Sequence, residues 1–138
     1  MKKPILRWIL VFPAALLGLI LSPFVLHWVL YSILTGSGLI EPYPGTPERV
    51  LTPMAAALGF VLSGAHTAPT RKFGTSLVLA GAFTLLTASA ALLAVAEVNI
   101  GGKTLYLQNG GVRAVLAILG ALAGAWLVRL QAQNGSRK

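Results

Sequence analysis

Apolar residues in this chain neither alternate with polar ones nor recur at every third or fourth position; they come in four nearly unbroken runs separated by short polar segments. A run of about 18 or more apolar residues with few charges is long enough to cross a bilayer as a helix. The pattern predicts spans over residues 5–34, 47–66, 73–96 and 112–130, with external loops over 35–46 and 97–111 and a tight cytoplasmic turn over 67–72. At about 1.5 Å per residue the first run would measure about 45 Å, more than a hydrocarbon core of about 30 Å, so it must tilt, bend or emerge. Pro13 and Pro23 are the natural bending points.

The boundaries carry their own signals. Gly36, Gly38, Pro42, Pro44 and Gly45 exclude regular structure from the first loop. Thr46-Pro47-Glu48 has the form of a helix start: a capping hydroxyl, proline in the first turn and an acid at the positive helix end. Thr52-Pro53 repeats the motif, so the second span begins at one of the two, with Pro53 as a kink if it begins at the first. Between the third and fourth runs, Val98-Asn99-Ile100 and Thr104-Leu105-Tyr106-Leu107 flank Gly101-Gly102. A Gly-Gly pair between alternating residues predicts a small external β-hairpin, closed by Asn109-Gly110-Gly111.

Charge fixes the expected orientation. If the chain crosses four times, Lys2, Lys3, Arg7, Arg71, Lys72, Arg129, Arg137 and Lys138 fall on one side. Only Arg49, Lys103 and Arg113 fall on the other, together with all three acids, Glu41, Glu48 and Glu97. Short loops obey the positive-inside rule, so both termini are expected in the cytoplasm. The expected fold is an all-α integral membrane protein, a four-helix transmembrane bundle running up-down-up-down, in a bacterial-type inner membrane. The N-terminal basic cluster also begins secretory signals, but this apolar run is far longer and lacks a small-residue cleavage site, so an uncleaved helix is expected.

Composition agrees: 56% of the 138 residues are hydrophobic and only 10% charged, with a mean hydropathy of +0.79, which would leave a soluble domain without a water-facing surface. The net charge of +8 is scattered over helix ends rather than gathered on one face with aromatics, which suits anionic headgroups and argues against nucleic acid. The chain has no cysteine, excluding thiolate nucleophiles, thiolate metal sites and disulfide exchange.

Candidate chemistry is sparse. Small residues recur four apart in every span: Ala14, Gly18 and Ser22; Ala55, Gly59 and Ser63; Ala80, Thr84 and Ala88; and Gly120 and Gly124. Such faces let helices approach where the hydrophobic effect offers no help, either within the chain or between chains. Gly59, Ser63, Gly120 and Gly124 are the candidate packing residues. His27 and His66 are expected near opposite membrane faces, too far apart to share a metal or haem, with His27 in an interfacial belt beside Trp28 and Tyr31. The central parts of all four spans lack Asp, Glu, Lys and Arg, which argues against proton-coupled export. Ser63 with His66 is the one serine–histidine pair close enough to suggest hydrolysis, and no acid is placed to orient it.

No catalytic residue, cofactor or metal is expected. Tyr43, Arg49, Lys103, Tyr106 and Arg113 gather in the external segments as candidate partner-docking residues, since tyrosine and arginine are over-represented in interface hot spots. The functional expectation is a non-enzymatic accessory, assembly or scaffolding subunit, whose partners are the bilayer and other membrane subunits or a second copy. The alternative is a small homo-oligomeric channel or a transporter of lipid-linked substrates, its path lined by Ser63, Thr84, Thr87 and Ser89.

Overall fold

The computed structural model describes residues 3–36, 46–101 and 107–135. They form four helices: α1 Lys3–Gly36, α2 Thr46–Thr67, α3 Lys72–Gly101 and α4 Leu107–Gly135. Each contains a segment long and apolar enough to cross a membrane, Ile5–Leu34, Val50–Thr67, Lys72–Leu92 and Gly111–Asn134.

Three prolines lie inside helices, Pro13 and Pro23 in α1 and Pro53 in α2, so α2 begins at the earlier of its two candidate starts. A helical proline leaves one carbonyl of the preceding turn without its amide partner. Immediately before two of them, a hydroxyl folds back on its own helix. Ser22 donates to the Gly18 carbonyl at 2.6 Å, and Thr52 donates to the Glu48 carbonyl at 2.6 Å. Thr67, Thr75 and Ser76 do likewise to Ser63, Arg71 and Phe73, so these hydroxyls are satisfied locally in an apolar setting.

The external hairpin expected from the sequence is not formed. Among the described residues there is no strand: Val98, Asn99 and Ile100 continue α3 to Gly101, and α4 begins at Leu107 with Asn109-Gly110-Gly111 inside it. Residues 102–106 lie outside the described ones. Valine and isoleucine cost a helix only tenths of a kcal/mol relative to good formers, whereas a lone two-stranded hairpin is marginal. The continued α3 hydrogen-bond ladder therefore outweighs a local alternation only a few residues long.

Helix directions follow from the contacts. Val11 and Ala15 of α1 lie against Gly64 of α2, and Gly18 and Ser22 against Gly59, while His27 meets Glu48; α1 and α2 are antiparallel. Gly120 of α4 meets Met54, and Gly124 meets Leu58 and Val61, so α4 runs parallel to α2. Arg129, near the end of α4, lies 5.9 Å from the ring of Phe73 at the start of α3, so those two are antiparallel.

The helices do not close evenly into a square. Among the described residues α2 packs on α1, α3 and α4, and α3 on α4, but the backbone of α1 comes close only to that of α2. The core is built of small side chains, including Ala15, Ala57, Ala80, Ala117, Ala121 and Ala125, with Phe60, Val61 and Leu79 as the larger members. Such a surface brings backbones together and gains its stability from dispersion between close helices. Bulky residues such as Phe24, Trp28, Val78, Leu85 and Leu86 face outward, as expected where the surrounding solvent is hydrocarbon.

The turn between α2 and α3 is made by residues 68–71. Ala68 N–H bonds the Gly64 carbonyl at 3.3 Å, and Arg71 ends the turn with its carbonyl accepting the Thr75 N–H at 3.0 Å. Arg71 holds φ at 50°, a left-handed conformation that costs an ordinary L-residue about 1–2 kcal/mol.

Candidate functional site

Two places stand out, and both belong to the α1–α2 seam. The first is its glycine-rich crossing. A Cβ built on Gly18 would collide with the Gly59 carbonyl and the Ser63 hydroxyl, and one built on Gly59 would collide with the Ser22 side chain and the Gly18 carbonyl. Gly59 and Ser63, predicted as packing residues, therefore bear on α1 of the same chain. Gly120 and Gly124 bear on α2: Gly120 abuts the backbone of Met54, and a Cβ at Gly124 would sit 3.1 Å from Val61 Cβ.

The second is the polar end of the seam. His27 Nδ1 and Glu48 Oε1 lie 3.0 Å apart, with Glu48 largely enclosed and His27 about one-third exposed. The imidazole centroid is 6.5 Å from that of Trp28, edge-on, and 6.2 Å from that of Tyr31. An imidazole–carboxylate bond thus ties α1 to α2 where an aromatic belt begins. The sequence placed both residues near one membrane face but did not pair them. The hint was there: two polar side chains on consecutive helices at the same depth.

Beside the seam, on the side where α1 fails to reach α4, runs a groove of about 670 Å³. Its wall is a stripe of α1 including Leu17, Leu21 and Val25, and its floor is Leu51, Met54 and Leu58 of α2. Ser22 and Ser63 are the polar residues among those that line it. The groove was hidden in the sequence because α1 is apolar on every side, so no stripe is distinguished by periodicity.

The proposed path-lining residues lie on α2 and α3. Ser63 lies against Gly18 of α1, while on α3 Thr84 and Thr87 are half-buried and Ser89 is exposed. His66 is exposed and lies eighteen residues beyond Glu48, about 27 Å along α2, so it shares no centre with His27. Among the described residues, no three His, Cys, Asp or Glu side chains are grouped to hold a metal. Of the docking candidates, Arg113 is exposed on α4 and Arg49 belongs to the first turn of α2, whereas Tyr43, Lys103 and Tyr106 lie outside the described residues.

At the opposite end Arg7, Arg71, Lys72 and Arg129 are all exposed. The Arg129 guanidinium stands 5.8 Å from the Trp126 ring centroid and 5.9 Å from that of Phe73, within the range of cation–π attraction. Its charge is thereby tethered at the helix end rather than left to wander. Comparison of the chain with protein-family models, curated proteins and solved structures found no match.

Proposed function

We propose that this chain is a non-enzymatic accessory or assembly subunit of a larger membrane complex, lying in a bacterial-type inner membrane with both termini in the cytoplasm. The observation that carries the proposal is the use made of the polar and small residues. The glycine faces are occupied by packing within the chain, and several hydroxyls of the spans are turned back on their own helices. What remains outward is aliphatic and aromatic surface and, among the described residues, a cluster of exposed basic side chains at the Arg71 end. A protein made this way has little with which to do chemistry and much with which to sit beside others. The unequal ends support the orientation: the Arg71 end carries the basic residues that favour the cytoplasm, and the His27–Glu48 end faces outward.

The channel or transporter alternative needs a path lined by groups that replace water. Ser63 bears on Gly18 of α1 and Ser89 is exposed on α3, which counts against such a path within one chain. Purification in mild detergent tests the choice. One unrelated protein retained at fixed stoichiometry supports the subunit; a homo-oligomer that passes ions or moves lipid in vesicles overturns it.

A further inference from the structure

The start of α3 and the last turns of α4 meet at one corner of the molecule, and two arginines lie against the same helical turn there. The Arg129 guanidinium of α4 stands 5.9 Å from the ring centroid of Phe73 and 5.8 Å from that of Trp126. Arg71 lies over the residue next to Phe73: its Cβ is 3.9 Å from a Cβ built on Gly74, and the space around that position is otherwise open. Both arginines are exposed, and so is Lys72.

Depth and charge decide what this corner lacks. Arg129 lies five residues inside the end of the apolar segment Gly111–Asn134, about 7.5 Å short of it. Its stem therefore starts among hydrocarbon, and its charge has to be met at the headgroup level. No carboxylate of the described residues is within reach. Glu48 belongs to the first turn of α2, at the other end of the bundle. Glu97 lies twenty-five residues beyond Lys72 in α3, about 37 Å along the helix. The countercharge must come from outside the chain.

The surface below the two arginines says what kind of molecule carries it. Leu77, one turn beyond Phe73 on α3, and Leu122, one turn before Trp126 on α4, both lie toward the bilayer interior and are exposed. The corner thus has cations at its rim and an apolar track running inward, which matches a phosphate set above acyl chains. A zwitterionic headgroup would add an ammonium, which needs an acid or an open aromatic face. No acid is near, and the rings of Phe73 and Trp126 are already engaged by Arg129. Charge complementarity therefore selects a lipid of net negative charge.

We propose that this corner is a binding site for an anionic phospholipid, its phosphate held between Arg71 and Arg129 and its acyl chains lying along Leu77 and Leu122. The site concerns the chain by itself in a bilayer and does not depend on the accessory-subunit reading.

Trp126 reports on the site directly. The full chain carrying Trp8→Phe and Trp28→Phe keeps it as the one tryptophan of three, and in phosphatidylcholine vesicles a brominated lipid quenches it on contact. A small fraction of phosphatidylglycerol brominated on its upper acyl chains should quench as though enriched roughly tenfold over the same fraction of brominated phosphatidylcholine. In that background Arg71→Gln, which leaves the Trp126 contact untouched, should lower the enrichment roughly fivefold, and so should Arg129→Gln, each compared with itself in unbrominated vesicles. Arg7→Gln removes the same charge at the same end but from α1, whose backbone comes close to neither α3 nor α4; it should leave the enrichment unchanged. Equal quenching by the two brominated lipids would show annular contact only and overturn the proposal. Equal losses from Arg7→Gln and Arg71→Gln would reduce it to diffuse surface charge, and reversal of the quenching by inorganic phosphate would make it a site for a free anion; either result overturns it as well. Failure to find any stoichiometric protein partner would defeat the accessory function and leave this lipid site standing.

Discussion

Replacing Gly59 with alanine should loosen α1 from the rest of the chain. The added methyl would be driven into the Ser22 side chain and the Gly18 carbonyl. Neither can yield cheaply: the carbonyl is backbone, and Ser22 is fixed by its 2.6 Å bond to that same carbonyl. Overpacking of this kind costs roughly 1–3 kcal/mol. Part of that cost is hidden, because Gly→Ala inside a helix gains about 0.5–1 kcal/mol on its own. Gly81→Ala provides the reference, since nothing lies within 4 Å of a Cβ built there. Both substitutions share the propensity gain, so the difference between them isolates the collision, roughly 1–3 kcal/mol. Reversible unfolding in mixed micelles, followed by helical circular dichroism and by Trp8 and Trp28 fluorescence on α1, measures it. Gly81→Ala should match or exceed the natural protein, and Gly59→Ala should fall below it with the α1 tryptophans changing first. Equal midpoints for the two variants would refute the close crossing of α1 and α2.

Other consequences are equally concrete. Arg71→Gly should raise unfolding stability by about 1 kcal/mol, because it removes the side-chain penalty at φ 50°; a loss of stability in the same assay would contradict the turn geometry. A double-mutant cycle of His27→Ala and Glu48→Ala should give a favourable coupling of about 0.5–1 kcal/mol for this partly exposed pair, and strict additivity would mean the contact contributes nothing. Converting Ser63, Thr84 and Ser89 to alanine and Thr87 to valine together should leave the host complex active, since each hydroxyl is worth only about 0.6 kcal/mol of helix association. Abolition of activity in a complex that still assembles would favour a conducting path.

The membrane class was plain in the sequence because long apolar runs have few alternative explanations. Helix starts were equally legible where a cap, a proline and an acid coincide at Thr46-Pro47-Glu48. The hairpin failed for a physical reason: Val98 and Ile100 read as strand formers only if local preference decides, and at the end of a 30-residue helix the existing hydrogen-bond ladder decides instead. Glycine spacing marked close-packing faces but not their partners. That Gly59 meets α1 while Gly120 and Gly124 meet α2 depends on how the helices are arranged, and a four-residue repeat carries no such information. Likewise His27 and Glu48 were visible singly, and their bond arises only once antiparallel helices bring residues 21 apart to one depth. The α1 groove was the least legible feature, since it exists because α1 fails to contact α4, an absence no local pattern encodes.

Everything said of function depends on the chain crossing the bilayer four times with its basic end inside. Single cysteines placed at Gly38, Lys103, Thr70 and Ser136 of this cysteine-free chain, probed in intact cells with an impermeant thiol reagent, measure that directly. Gly38 and Lys103 should label from outside, and Thr70 and Ser136 only after the membrane is opened. External labelling of Thr70 or Ser136 would contradict the account.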